Sequence, residues 1–192
     1  MKLYKLTTQK HTTHGNTKWG PGVTHKATGE GTKLCSGGVL HAYTSPLLAV
    51  LLNPIHADVS DPVLWEAKGE VVASDGLKVG CKELTTTVEI PLPEISVEQK
   101  VRFAIGCASL VYKDAGWVEW ANNWLTGKDR SEDAARDVAG AAARAAWAAA
   151  RAAAWAVARA AGIAAEIDFS LIITWAMSQS NDLGELTGAL KS

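Results

Sequence analysis

Two polar aromatic side chains, His41 and Tyr43, lie one residue apart in a segment, 38–44, that has the composition of a β-strand. Because side chains alternate along a strand, both should lie on the same side. Ser45 and Pro46 follow directly and predict the start of a helix, since serine caps helices and proline suits their first turn. Polar side chains that converge where a strand meets a helix line many pockets. The sequence therefore predicts either a pocket at this junction or two side chains that hydrogen-bond to neighbouring loops.

The other residues with reactive or metal-binding chemistry are isolated. His11 and His14 could supply two metal ligands, but the polar segment around them has no convincing third. The cysteines form neither a disulfide framework nor a Cys-x-x-Cys pair, which indicates small buried side chains; they are Cys35, Cys81 and Cys107. Ser45 lacks the Gly-x-Ser-x-Gly surroundings of a nucleophile, and no phosphate-binding glycine motif occurs. We therefore predict no metal and no bound cofactor.

One stripe of large planar side chains lies in the second half of the chain. It consists of Arg144, Trp147, Arg151, Trp155 and Arg159, and we call it the Arg/Trp stripe. Spacings of 3, 4, 4 and 4 residues place these side chains on one face of a helix. The rest of that helix is almost pure alanine, which favours the helix but buries too little apolar area to hold it in place alone. We therefore expect the helix to need a partner.

Three interpretations of the Arg/Trp stripe are open. The indoles can pack on the N-terminal half while the arginines extend to water. The stripe can bind another protein or a second copy of the chain, because Trp and Arg are the usual anchors of interfaces. It can bind nucleic acid, with Arg on phosphates and Trp on bases, although Asp133, Asp137 and Glu166 at the two ends oppose this. We predict a protein partner.

These features belong to a chain with two parts. Residues 1–93 contain short strands separated by Gly and Pro turns, with one aliphatic helix at 47–52 that ends before Asn53-Pro54. Asp75-Gly76 predicts a turn between the two strands at 63–72 and 85–92. Residues 94–178 have helical periodicity, begin with a Ser96–Gln99 capping box and include a long Ala-rich helix at about 130–165. Residues 179–192 have the composition of a loosely ordered tail. We predict an α+β fold, in which a small mixed β-sheet module with one short buried helix precedes an α-helical, Ala-rich half.

The bulk composition is that of a globular protein without a strong overall charge. Apolar residues make up 47% of the 192 residues and charged residues 20%, with 19 basic against 20 acidic side chains. Such a balance draws the whole chain neither to nucleic acid nor to a membrane surface. The long apolar run at 139–165 is interrupted by three arginines, and the N-terminus lacks an apolar segment of signal-peptide length. We therefore expect a cytoplasmic protein with no membrane association.

The N-terminal module resembles a family of small uncharacterised proteins found mostly in phages and prophages. The resemblance covers about half of the chain. The residues that carry it are Tyr4-Lys5, Gly20 to Val23, Cys35, Gly38, His41-Ala42, Pro46, Glu66-Ala67, Gly69, Gly76, Lys78 and Glu89-Ile90. The family brings no biochemical activity with it. It implies a phage-associated origin, with the Ala-rich half as a variable appendage.

A fainter likeness connects the same module with ADP-ribosyltransferase folds. Those folds begin with a short strand that bears an aromatic and a basic residue, place a polar triplet between a strand and a helix, and carry a carboxylate on a later strand. Leu3-Tyr4-Lys5, His41 to Ser45, and Glu89 would take these parts. Lys5 stands where an arginine or histidine is usual, and the chain has no Glu-x-Glu pair. The likeness implies an NAD-dependent enzyme with His41, Tyr43 and Glu89 as catalytic residues, and Glu66 is the alternative carboxylate.

The sequence as a whole favours a binding protein. We predict a phage-encoded accessory protein that binds a host protein or defence component in the host cytoplasm, with the Arg/Trp stripe as its contact or self-association surface. Binding is preferred because the most specific pattern in the chain is a long helix with interface-type residues and not a polar pocket. An NAD-dependent ADP-ribosyltransferase-like enzyme is the first alternative, and a nucleic-acid-binding protein is the second.

Overall fold

The computed structural model describes residues 1–110, 113–130, 169–178 and 180–190. The chain divides into two units, Met1–Glu94 and Ile95–Ser192. Strands occupy the first unit, and each element described in the second unit is a helix. The predicted α+β fold class is confirmed. The Ala-rich helix predicted at about 130–165 lies outside the described residues.

The first unit contains seven strands and one helix. The strands are β1 (Lys2–Thr7), β2 (Thr12–Thr13), β3 (Thr17–Lys18), β4 (Thr24–Lys26), β5 (Leu40–Ala42), β6 (Val63–Ser74) and β7 (Val79–Ile90), and the helix is α1 (Pro46–His56). The two long strands form a hairpin through the predicted Asp75-Gly76 turn. Gly76 has a φ of +78°, and the Asp75 carboxylate accepts a hydrogen bond from the Lys78 N–H at 2.9 Å. The turn therefore has the residues that its backbone requires.

The main sheet closes on itself through a single residue pair. β1 pairs with β6, β6 with β7, and β7 with β5, each antiparallel, while β4 continues along the edge of β7 beyond β5. Tyr43, directly after β5, pairs back to β1, since the Tyr43 and Tyr4 N–H groups each donate to the other residue's carbonyl at 2.8 Å. Register shifts in β6, between Glu66 and Ala67 and around Val71, supply the bend that closure requires. The His41–Tyr43 segment is thus held at the seam of the closed sheet.

One core cluster of the first unit comes from side chains on the sheet and on the loop before β4. Its buried members are Leu3, Trp19, Ala42, Ala67, Val79, Cys81 and Leu84. Cys81 is buried as predicted, and so is Cys107 in the second unit, but the prediction for Cys35 is wrong because its side chain is exposed. Cys35 has a φ of +60° in the loop before β5, where the chain reverses at the surface.

Helix α1 begins as predicted, with the Ser45 side chain accepting a hydrogen bond from a first-turn N–H at 3.2 Å. Its predicted end before Asn53-Pro54 is wrong, because the helix continues to His56. Proline in the last turn removes one helical hydrogen bond, and the Asn53 side chain adds two at this end. Its amide donates to the Val59 carbonyl at 2.9 Å and accepts from the Val59 N–H at 3.1 Å. Four aliphatic side chains of α1 are buried as predicted, Leu48, Ala49, Leu51 and Leu52, while Leu47 and Val50 are half-buried.

The second unit is helical in its described part. The helices are α2 (Val97–Ser109), α3 (Ala115–Leu125), α4 (Phe169–Met177) and α5 (Leu183–Ala189). The predicted capping box is confirmed, since the Ser96 and Gln99 side chains each accept the other residue's N–H, at 3.1 and 2.9 Å. Helices α2 and α4 approach closely at Gly106, where an added Cβ would lie 2.8 Å from Ile172. None of the described helices has the length and apolarity needed to cross a membrane.

The prediction of a loose tail at 179–192 is wrong for its described part, 180–190. Asp182 caps α5 by accepting a hydrogen bond from the Gly184 N–H at 2.7 Å. Leu183 and Leu186 are buried, and the Trp175 indole donates to the Asp182 carbonyl at 3.2 Å. The three leucines of this segment have helical spacing, but Gly184 and Gly188 lie between them, and glycine disfavours a helix, so the sequence gives only a weak signal for one.

Candidate functional site

His41 is fixed from two sides at the seam of the closed sheet. In β5 it pairs with Gly80 of β7, where a side chain would collide with Val39 at 2.9 Å. Its Nε2 accepts a hydrogen bond from the Cys35 N–H at 3.0 Å. That bond requires an unprotonated Nε2, so the neutral ring carries its proton on Nδ1. His41 thereby anchors the loop that leads into β5.

Tyr43 stacks on a histidine at the end of α1. The Tyr43 and His56 rings are nearly parallel, with centroids 6.1 Å apart and an interplanar angle of 16°. Burial raises the pKa of the Tyr43 hydroxyl, so that it stays protonated. The Nδ1 of His56 is buried and has no hydrogen-bond partner among the described residues. The junction therefore holds one buried ring nitrogen that could still bond to a ligand.

The turn between β6 and β7 supplies the charges that act on these rings. Burial, with the Lys78 ammonium as the second cause, lowers the pKa of His56 to about 4, while Asp75 opposes the shift. Burial and the same ammonium also lower the pKa of His41. Both imidazoles are therefore neutral at neutral pH.

We call His41, Tyr43, His56, Asp75 and Lys78 the seam cluster. Two neutral imidazoles and a protonated phenol can exchange hydrogen bonds with a ligand and stack on it. A general acid that works near neutrality needs a pKa near 7, whereas burial moves the pKa of both histidines downward, to about 4 for His56. Among the described residues, no three His, Cys, Asp or Glu side chains are placed to hold a metal ion. The arrangement suits the binding of a neutral polar group better than acid–base chemistry.

Glu89, the predicted carboxylate of a catalytic set, lies apart from His41. It is the next-to-last residue of β7, whereas His41 pairs with Gly80 near the start of that strand. Nine residues separate these two positions (89 − 80), which is about 30 Å along an extended strand. Glu89 lies instead 3.8 Å from the Nε2 of His11. The structure brings His41 and Tyr43 to one junction and does not add Glu89 to them.

Lys5, the basic residue of the first strand, is buried within the sheet. Its ammonium donates to the His41 carbonyl at 2.9 Å and lies 4.6 Å from the centroid of the Trp19 ring. Burial lowers its pKa to about 8, from an ordinary value of 10.5. A lysine that is partly neutral near pH 8 can act as a nucleophile if a substrate reaches it. The Lys5 ammonium already has the His41 carbonyl and the Trp19 ring as partners, so Lys5 positions the His41 backbone.

Sequence reasoning missed His56 as a member of the seam cluster. The expected end of α1 at residue 52 places His56 in a loop, and only the continuation of the helix past Pro54 brings its ring onto Tyr43. Asp75 and Lys78 were noted only for the turn and for the family resemblance. A helix that starts at a Ser-Pro cap and ends on a histidine is the one local signal for this contact, and it is weak.

The Arg/Trp stripe, from Arg144 to Arg159, lies outside the described residues. Comparisons of the chain with protein families, curated proteins and solved structures find no match. The geometry of the first unit and the sequence pattern of the second are therefore the observations on which a function can be based.

Proposed function

We propose that this protein is a phage-encoded accessory protein that acts by binding a host protein or defence component in the host cytoplasm. The observation that supports binding over catalysis is the use of the polar side chains in the first unit. The Lys5 ammonium donates a hydrogen bond to the His41 carbonyl, and the His41 ring accepts one from the Cys35 N–H. The Asp75 carboxylate holds two N–H groups of its own turn. Side chains with these bonds fix loops and are not poised for a reaction.

A second lysine has the same role in the loop before β5. The Lys82 ammonium donates to the Gly38 carbonyl at 2.8 Å and also contacts the Gly31 carbonyl. Gly29 and Gly37 backbones lie so close that a Cβ on Gly29 would be 2.7 Å from the Gly37 carbonyl carbon. The loop is therefore clamped from several sides. A unit with fixed loops is suited to support a binding surface, because little conformational entropy is lost when a partner binds.

The Arg/Trp stripe is the proposed contact surface. Its indoles and guanidinium groups are the side chains most enriched among residues that dominate interface affinity. We propose a host protein as the partner. Self-association through the same face is the other form of this proposal, and it can be tested with the purified protein alone.

The test is a triple charge reversal in the full chain, Arg144→Glu with Arg151→Glu and Arg159→Glu. The matched control reverses three exposed lysines of the first unit, Lys10, Lys33 and Lys68. The stripe variant should lose self-association in light scattering, and binding to an identified and purified partner, while the control keeps both. Each variant should keep the circular dichroism and melting temperature of the parent, because exposed charges contribute little to stability. Association of the stripe variant at the parent's affinity would contradict the proposal.

Tryptophan variants separate the interface from packing within the chain. If Trp147 and Trp155 are core residues, Trp147→Ala and Trp155→Ala should each destabilise the dilute protein by about 3–5 kcal/mol. At an interface, both should leave the melting temperature of the dilute protein unchanged and weaken only the complex.

Two cheaper measurements address the alternatives. The transferase alternative requires saturable NAD binding that His41→Ala abolishes, and the separation of Glu89 from His41 is unfavourable to it. The nucleic-acid alternative requires an affinity that falls steeply with salt, because each neutralised phosphate releases counterions. Saturable NAD binding would favour the transferase over a binding protein. Nucleic-acid binding with an affinity that falls steeply with salt would favour the nucleic-acid-binding alternative.

A further inference from the structure

Arg102 is an arginine buried in the second unit. It lies in α2 with 2% of its surface exposed. Its Nη1 donates to the Asn181 side-chain oxygen at 2.8 Å and lies 4.0 Å from a carboxylate oxygen of Glu98. One face of its guanidinium lies 5.1 Å from the centroid of the Trp175 ring. One end and one face of this group therefore have partners.

The other edge of the Arg102 guanidinium has no acceptor among the residues that the structure describes. Its Nε and Nη2 are buried, and neither has a hydrogen-bond acceptor among the described residues. These two nitrogens lie on the same edge of the planar group, and their N–H bonds point in parallel. That edge is the fork that grips two oxygens of a carboxylate or a phosphate. A buried cationic donor left without an acceptor is unfavourable, so this edge calls for an acceptor.

The excess positive charge around Arg102 also favours the binding of an anion. Glu98 is shared, because the Nη2 of Arg130 lies 3.0 Å from the same carboxylate oxygen. Two guanidinium groups and one carboxylate leave a net charge of about +1 at this place. Burial lowers the pKa of Arg102. The positive charge of Arg130 lowers it further, and the carboxylate of Glu98 opposes the shift. A water molecule could accept from the fork, but it would not neutralise the charge.

We propose that the Nε–Nη2 edge of Arg102 is a binding site for an oxyanion, a carboxylate or a phosphate. The fork supplies two parallel donors, Arg130 supplies a second positive charge, and the Trp175 ring holds the guanidinium plane in place. Chloride should bind the fork more weakly than an oxyanion, because a single spherical ion cannot lie in line with both N–H bonds at once. The site is independent of the Arg/Trp stripe and of the function proposed for it.

The test uses the full chain with inorganic phosphate and acetate as probes, against chloride at matched ionic strength. Phosphate, acetate or both should raise the melting temperature in a saturable way, because a ligand that binds only the folded state stabilises it. Arg102→Lys keeps the charge and removes the fork, and should weaken the binding by about tenfold or more. Arg130→Lys is the matched control, since it keeps the charge and leaves the fork intact, and should retain the saturable response.

If Arg102→Lys does not fold, anion binding to the Arg102 side chain can be measured in the parent protein by NMR. In parent protein labelled with ¹⁵N-arginine, one buried Nε–H resonance should move saturably as phosphate or acetate is added, at lower concentrations than with chloride. A response to phosphate alone assigns the site to phosphorylated ligands, and a response to acetate alone assigns it to carboxylates. Equal melting temperatures in all three salts with no moving Nε–H resonance, or a full response in a folded Arg102→Lys variant, would overturn the proposal.

Discussion

The buried Lys5 ammonium makes a prediction about stability and pH. Burial lowers the pKa of Lys5 to about 8 in the folded chain, while the ordinary lysine value of 10.5 applies after unfolding. Between these two values the unfolded chain holds a proton at this site and the folded chain does not. Stability therefore rises with pH across that interval. Below about pH 8 both states are protonated, and the cost of burying the charge is present in full.

The size of the effect follows from the shift in the pKa. A lowering from 10.5 to about 8 corresponds to about 3 kcal/mol, at about 1.4 kcal/mol for each unit. Most of this, about 2 kcal/mol, should be gained between about pH 7.5 and 10. Lys5→Met keeps the length of the side chain and removes the titrating group. The stability of the parent should therefore rise by about 2 kcal/mol relative to Lys5→Met over that range.

The assay is urea unfolding followed by tryptophan emission at several pH values, with Lys10→Met as the exposed control. Ionisation of groups remote from Lys5 affects all three proteins and largely cancels in the comparison, whereas the Cys81 thiol is coupled to Lys5 and its contribution does not cancel. In lysine-labelled protein, one side-chain resonance that is missing in Lys5→Met should titrate near pH 8. The same pH slope in the parent and in Lys5→Met, or a Lys5 resonance that titrates like the exposed lysines, would refute the reasoning.

Two pairs of glycine substitutions give further predictions. Gly38→Ala should destabilise the protein by about 2 kcal/mol, because a Cβ would lie 2.3 Å from the Glu30 carbonyl oxygen, whereas Gly37→Ala, with its nearest contact at 3.8 Å, should be nearly neutral. Gly106→Ala should cost about 1–3 kcal/mol by overpacking, because its Cβ would lie 2.8 Å from a side chain of α4. Gly188→Ala has open space in α5 and should stabilise the helix by about 0.5–1 kcal/mol. Thermal melting checks both pairs, and equal effects within a pair would contradict the close contacts.

Local signals in the sequence predicted the elements that depend on local chemistry. Ser45 and Ser96 start their helices, and Asp75-Gly76 makes its turn, because caps and turns are satisfied by residues within a few positions. The closure of the sheet by Tyr4 and Tyr43 could not be predicted in this way. That pair joins distant segments by backbone hydrogen bonds, and no side-chain pattern encodes it.

The burial of two cationic side chains also could not be predicted from the sequence. Lysine and arginine are almost always exposed, so composition alone assigns Lys5 and Arg102 to the surface. The alternating pattern of β1 places Lys5 on the same side as Leu3 and Thr7, which is a visible hint that it faces the core. For Arg102 the neighbours in α2 are nearly all buried, so the helix turns no obvious polar face toward water at this point.

The difference between these two buried cations decides which of them marks a ligand site. A lysine can escape the cost of burial by losing its proton, and Lys5 does so as the pH rises through its pKa of about 8. Arginine cannot escape in this way, because it remains charged at every physiological pH even when burial lowers its pKa. Arg102 must therefore be neutralised by other groups, and Glu98 does this only in part because it also pairs with Arg130. The Nε–Nη2 edge of Arg102 has no acceptor among the described residues. An oxyanion both neutralises the remaining charge and accepts from the two N–H groups of this edge.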